Sequence, residues 1–232
     1  MATRRPGVKG RRGGATRARR DGRKDAGGSL TASSEAARAA LLDGARALER
    51  ANLAGADLTR LSLRAVDLRG ADLTGADLTG STLIACDLRG ARLGGARLDD
   101  ARIVCCDLRE AELDGAHLSA ARWAVCALSG ARLRRADLSE GRFAVVTLAN
   151  ADLERASLAD ARFAACSLAG ARLAGARAEG ARFFASSLPG ADFTRARLER
   201  VRFWAASLRG AVFDRATGLR EDSFALVWYP AL

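Results

Sequence analysis

Histidine and methionine each occur once in the 232 residues, proline three times, and aromatics make up only 5% of the chain. A lone histidine, His117, excludes a multi-histidine metal centre. It also sits at an outward position of the chain's five-residue repeat, which removes a histidine-based triad. No stretch approaches 18 consecutive apolar residues, so nothing in the sequence spans a bilayer. No apolar core follows the early arginines, as a secretory signal requires. The sequence has no CxxC pair, no GxGxxG and no P-loop lysine. These absences leave metal, redox, dinucleotide and phosphoryl-transfer chemistry without their usual residues. The apolar half of the composition is dominated by Ala and Leu, which points to one environment repeated many times.

The formal charge of +11 is unevenly placed. Residues 1–30 hold Arg4, Arg5, Lys9, Arg11, Arg12, Arg17, Arg19, Arg20, Arg23 and Lys24 against two Asp, a net +8. This Arg- and Gly-rich stretch has no apolar periodicity and cannot bury enough surface to offset its ordering, so it is expected to be a disordered tail. It reads either as an electrostatic arm for nucleic acid or another anionic surface, or as a solubilising or targeting tail.

Ser33 or Ser34 is placed to cap a helix whose face carries Leu41, Ala45 and Leu48. A helical cap is expected at about 34–49, within an N-terminal segment of 31–50. Leu48 falls in phase with the repeats downstream of it, but Arg46 stands where a small residue is otherwise found, so the repeats are read as starting at Ala51.

From Ala51 the period is five. Ala51-Asn52-Leu53-Ala54-Gly55 leads to Ala56-Asp57-Leu58-Thr59-Arg60, and every number ending in 3 or 8 from Leu53 to Phe213 is a centre. That makes 33 units without an insertion, with Leu, Phe, Ile or Trp at every centre but Ala178. Two positions before each centre stands a small or apolar residue. Residues two apart on an extended backbone share a side, so both point inward. Four units make a 20-residue square turn, and coils stack at ~4.8 Å through backbone hydrogen bonds. Eight coils over 51–215 give a rod of roughly 40 Å. Such a rod is stabilised by neighbouring coils and needs a cap at each end.

The unit A-D/N-L-x-x, as in Ala71-Asp72-Leu73-Thr74-Gly75 and Ala76-Asp77-Leu78-Thr79-Gly80, resembles the pentapeptide-repeat family. The resemblance implies an all-β fold, a right-handed four-sided parallel β-solenoid with short helical caps. It covers about 165 of the 232 residues. One departure is chemical, since the residue before the centre is often Arg rather than Asp or Asn. The family includes proteins that protect DNA gyrase from quinolones by resembling DNA, and many members of unknown role.

Positions 20 apart lie above one another, which turns the sequence into a surface map. One wall stacks Arg102, Arg122, Arg142, Arg162, Arg182 and Arg202, beside a strip running from Ile84 through Ala144 to Phe184 and Trp204. Asp100, Glu140 and Asp160 precede three of these arginines by two residues and are expected to pair with them. The wall reads either as a solvated, partly paired ladder or as a docking face for an anionic partner. Another wall has Asp67, Asp87 and Asp107 with Arg69, Arg89 and Arg109 two residues on. Residues 51–215 hold 24 Arg against 20 Asp/Glu, unlike the continuous carboxylate surface a DNA mimic needs.

Cys86, Cys106, Cys126 and Cys166 stand in for the small inward residue and read as structural thiols. After Arg215 the phase breaks. The apolar end, including Phe224, Leu226, Val227, Trp228 and Tyr229, resembles the family's terminal helix, and 216–232 is read as a cap on its own solenoid or a dimer interface. The expectation is a cytoplasmic, non-enzymatic scaffold without cofactor, binding an acidic protein or nucleic acid, with gyrase protection and nucleic-acid binding by the tail as alternatives.

Overall fold

The computed structural model describes residues 34–225. An α-helix, α1 (Ser34–Leu42), precedes nine short strands that form one all-parallel sheet in sequential order. They are β1 (Ser62–Arg64), β2 (Thr82–Ile84), β3 (Arg102–Val104), β4 (Arg122–Ala124), β5 (Arg142–Ala144), β6 (Arg162–Ala164), β7 (Arg182–Phe184), β8 (Arg202–Trp204) and β9 (Phe224–Ala225). Each strand from β1 to β7 pairs with the one 20 residues on, as in Arg142↔Arg162, Phe143↔Phe163 and Ala144↔Ala164. The other three walls repeat the same parallel step as isolated bridges, such as Asp72↔Arg92 and Asp67↔Asp87. The result is a β-solenoid of about eight turns.

The five-residue unit is explained by where its backbone groups go. In Leu73-Thr74-Gly75-Ala76, the Ala76 N–H donates to the Leu73 carbonyl at 3.0 Å, closing a turn. Leu73 N–H donates upward to the Arg92 carbonyl at 2.7 Å, and Arg92 N–H donates down to Ala71 at 2.9 Å. Asp72 Oδ1 accepts the Thr74 N–H at 3.0 Å, a group the turn leaves free of the ladder. That is the work of the Asp or Asn before the centre, and Asn52, Asp57, Asp77, Asp137 and Asp192 do the same.

The strand wall differs. There the backbone stays extended, so strand pairing takes the groups that a turn would leave free. An Asp would have no N–H to accept, and none of the eight positions from Ser62 to Arg202 is Asp or Asn.

Every fifth residue turns the corner with positive φ. Glycine fills many of these corners, but those after the strands are Ala, Cys or Val, including Val125 and Val145 at φ 56°. A β-branched residue is strained in that region.

Inside, the Ala and Leu positions are almost fully buried. On the strand wall the centres become a stack of rings, with Phe143–Phe163, Phe163–Phe183 and Phe183–Phe203 centroids 4.6, 4.8 and 5.1 Å apart. Gly141 is part of that packing, because a Cβ there would lie 2.8 Å from the Phe143 ring. Cys86, Cys106, Cys126 and Cys166 line the interior as free thiols, while Cys105 faces outward.

Both ends correct the sequence reading. The helix stops at Leu42 instead of continuing to 49, and the first unit is 46–50 rather than one starting at Ala51. Leu48 is buried as its centre, and Ala47 bridges to Asp67. Arg46 is tolerated at the small-residue position because it lies exposed at the terminal coil, where its side chain reaches water. At the other end the phase holds to Thr217, which bridges to Arg197. One extra residue then enters, so Phe224 pairs with Phe203, 21 residues earlier. Among the described residues of the expected terminal helix, a 3-10 turn (Glu221–Ser223) leads into β9, a ninth rung. Phe224 stacks on Phe203 at 5.6 Å. Leu226, Val227, Trp228 and Tyr229, like the basic residues of 1–30, lie outside the described residues.

The acidic run is locked by a zipper. Arg69 pairs with Asp67 at 2.7 Å and reaches Asp87 at 3.8 Å, and Arg89 repeats this with Asp87 at 2.6 Å and Asp107 at 3.7 Å. Side-chain hydrogen bonds from Arg69, Arg89 and Arg109 hold Asp67, Asp87 and Asp107 below the usual carboxylate range, against a smaller opposing effect of burial. A carboxylate with a depressed folded pKa adds stability above its unfolded pKa of about 3.9 and loses it as pH falls through the folded value.

Replacing Asp67, Asp87 and Asp107 by Asn therefore lowers the unfolding midpoint at pH 7, flattens its fall as pH drops below about 4, and brings the two curves together at the acid end. Leu133→Asp puts a carboxylate where the side chain is fully buried, and the midpoint drops by roughly 10 °C or more. Val145→Gly relieves left-handed strain at a side chain that is 57% exposed, so the midpoint rises, by about 1–4 °C.

Candidate functional site

The strand wall carries the one column in which a single sign of charge persists through six consecutive coils. Strand pairing sets Arg102, Arg122, Arg142, Arg162, Arg182 and Arg202 directly over one another, all exposed. Strand pairing spaces them by ~4.8 Å per coil, and the rings of Phe143, Phe163, Phe183 and Phe203 beneath four of them stack 4.6 to 5.1 Å apart.

Among the described residues, no carboxylate lies within 4 Å of Arg102, Arg122, Arg142, Arg162 or Arg182. Arg202 alone reaches one, Asp222, at 3.7 Å. The expected pairing with Asp100, Glu140 and Asp160 does not form. Those three are left-handed corner residues, at φ 55–57°. The Asp160 carboxylate sits over the corner Gly180 of the next coil, along the axis instead of across the wall.

On another wall charge is mated. The wall carrying Asp72, Arg92, Glu112, Arg132, Asp152, Arg172 and Asp192 alternates in sign almost without fault. Its coils are joined by Arg92–Asp72 at 3.3 Å, Arg132–Glu112 at 3.6 Å and Arg172–Asp152 at 3.4 Å. Asp152, nearly buried, also takes Arg134 at 2.5 Å. The same chain therefore pairs its charges on one wall and repeats them on another.

Beside the ladder run two apolar columns. One is the strip Ile84, Val104, Ala124, Ala144, Ala164, Phe184 and Trp204. The other is the corner column, which includes Val125 and Val145, both 57% exposed. The sequence reading used the first and missed the second, though the same 20-residue spacing displays it. At the C-terminal end Phe184 (48% exposed) and Trp204 (53%) meet edge to face at 5.6 Å. They shape an open apolar cleft of about 320 Å³, bordered by Arg182, Arg202 and Asp222.

Other features offer less. Burial raises the Cys126 and Cys166 thiols above the usual range, which keeps them protonated. The Cys86 N–H donates to Cys106 Sγ at 3.4 Å, an interior contact. Among the described residues no three His, Cys, Asp or Glu side chains are grouped to hold a metal ion, and no helix is long and apolar enough to cross a membrane. His117 is exposed.

A model of pentapeptide repeats matches the chain in eight copies, over residues 48–83, 82–119, 111–148, 126–164, 147–183 and 179–215. Among solved structures it is similar to HetL of the cyanobacterium Nostoc sp. strain PCC 7120, a pentapeptide repeat protein involved in heterocyst differentiation regulation. The two are 30% identical over 77% of this chain and 91% of HetL, with a TM-score of 0.40. It is also similar to trypsin-treated QnrB1, a plasmid-mediated fluoroquinolone resistance protein, at 24% identity over 79% of this chain and 90% of QnrB1, TM-score 0.46. A thylakoid-lumen pentapeptide repeat protein of Arabidopsis thaliana is 31% identical over 55% of this chain and 68% of its own, TM-score 0.20. No curated protein sequence matches. The match runs from the buried Leu48 to Arg215, well over half of the 232 residues, and the chain belongs to the pentapeptide-repeat family.

Proposed function

We propose that this protein is a non-enzymatic scaffold that docks an anionic macromolecular partner on its strand wall. The observation that carries the reading is the run of five stacked arginines without an ion pair among the described residues, on a molecule whose opposite wall alternates its charges and pairs them. Two unit charges 4.8 Å apart repel by about 0.9 kcal/mol even in bulk water. Splaying and salt reduce that figure, but a pairing column such as the alternating wall removes it. A column that keeps its repulsion is suited to counter-charges supplied from outside. The aromatic pair at the end of the ladder adds Trp and Arg, residue types that dominate binding energy at interfaces.

Gyrase protection, which the family resemblance implies, has less in its favour. Among the described residues, the only run of carboxylates in three consecutive coils is Asp67, Asp87 and Asp107, and arginines neutralise it. Nucleic-acid binding by the tail turns on residues outside those described, and a truncation separates it from binding by the wall.

Binding of fluorescein-labelled polyglutamate is measured against salt for the full-length protein, for a form lacking residues 1–30, and for the combined Arg122→Gln, Arg142→Gln and Arg162→Gln variant. The wall reading predicts that the triple variant binds about tenfold or more weakly, with a shallower salt slope, while the truncation keeps most of its affinity. Loss confined to the truncation moves the site to the tail. In a supercoiling assay with fluoroquinolone, the protein is expected to give gyrase no protection; dose-dependent rescue at stoichiometric protein promotes the alternative.

A further inference from the structure

The strand wall also discriminates among the shapes an anionic partner could have. We infer that its occupant is an amphipathic acidic α-helix lying parallel to the solenoid axis, with an apolar side chain at one end seated in the Phe184–Trp204 cleft. This rests on the docking reading above and adds the partner's conformation.

Spacing carries most of the argument. From Arg102 to Arg182 the ladder makes four steps, ~19 Å at ~4.8 Å per coil. An α-helix presents one face every ~5.4 Å, so four turns cover ~22 Å. The mismatch of ~2–3 Å is shared by five flexible guanidinium arms. An extended chain presents one face every ~6.7 Å, which over four steps overshoots by ~7–8 Å. A helix with one carboxylate per turn therefore meets the ladder coil by coil, and a strand does not.

The backbone removes the strand's main advantage. A peptide that adds to a sheet gains affinity from an open edge of N–H and C=O groups. The strand wall is a sheet face, and its strands are paired on both sides from β2 to β8. An extended ligand lying along it finds no main-chain partners.

The pattern across the wall fits the same shape. The apolar strip lies two residues along each strand from the arginines, ~6.6 Å away, and the corner column with Val125 and Val145 lies just beyond. One helix about 10 Å across spans these rows. Its acidic stripe lies on the ladder, and its apolar stripe lies on Val104, Ala124, Ala144 and Ala164. A nucleic-acid backbone could use the arginines but would leave the apolar columns and the cleft facing phosphate and sugar.

The experiment uses the full-length protein and four probes, the three peptides among them of equal charge. The first is an 18-residue peptide with Glu on one helical stripe, Leu on the adjacent one and Trp at one end. The second has the same residues scrambled, the third alternates Glu and Leu to favour an extended form, and the fourth is a DNA duplex. Affinity is read by fluorescence anisotropy and peptide helicity by circular dichroism. The striped peptide is expected to bind about tenfold tighter than the scrambled one and to gain helicity on binding. Combined Arg122→Gln, Arg142→Gln and Arg162→Gln should erase that preference, and Trp204→Ala should weaken the striped peptide but not the scrambled one. The basic tail is common to all these forms, so the differences report on the wall. If the alternating peptide binds as well as the striped one, the helical occupant is wrong while the docking wall stands. If duplex DNA binds more tightly and the triple variant loses it, the occupant is nucleic acid and the inference fails. If no probe distinguishes the wild type from the triple variant, the docking wall itself falls, and the inference with it.

Discussion

Register governs this molecule. Each coil hydrogen-bonds to the next with an offset of 20 residues, so every side chain stands ~4.8 Å above one in the equivalent position. No residue is chosen alone. An inward position must stack on its own kind, which gives the columns of Ala and Leu and the rings from Trp123 to Phe224. An outward position must tolerate a neighbour of the same type or alternate with one of opposite charge. The Asp72–Asp192 column alternates, and the Asp67–Arg109 zipper solves the same problem within one wall by placing the two signs two residues apart. The arginine ladder does neither.

The departure from the family unit finds its reason in the same geometry. Asp or Asn before the centre is useful where the chain turns, because its carboxylate or amide oxygen accepts an N–H that the ladder does not use, as Asp72 does for Thr74. On the strand wall the backbone is extended and that N–H is engaged in pairing. The position is thus released from a structural duty, and on this wall alone the chain places Arg six times over. The ladder's freedom to carry charge is a consequence of the flat wall on which it lies.

Most of the fold is legible in the sequence because a period of five without insertion fixes side, wall and coil for every residue from Leu53 to Phe213. The Arg column, its apolar strip and the inward cysteines come from the same count. The differences between sequence and structure lie where the period is silent. Leu48 belongs to the first coil, although Arg46 is too large for an inward position anywhere but at the end of the stack, which leaves it a route to water. The inserted residue after Thr217 disguises Phe224 as part of a terminal helix, when it continues the ring column. Asp100, Glu140 and Asp160 are close in sequence to the arginines, yet all three sit at left-handed corners and none reaches one, the Asp160 carboxylate lying over Gly180 along the axis. Spacing says which residues are neighbours, while backbone conformation decides whether they meet.

The central claim is that the ladder stands unneutralised and that the fold tolerates its repulsion. It is tested most directly by giving one column the alternation that its neighbour already has. Arg122→Glu combined with Arg162→Glu converts Arg-Arg-Arg-Arg-Arg into Arg-Glu-Arg-Glu-Arg from 102 to 182 without touching the core. Thermal unfolding midpoints of this variant and the wild type are measured from low salt to 1 M NaCl, where the screening length falls to about 3 Å. The account predicts that the variant melts higher at low salt and that the gap closes as salt rises. A variant that melts at or below the wild type at every salt concentration would contradict it.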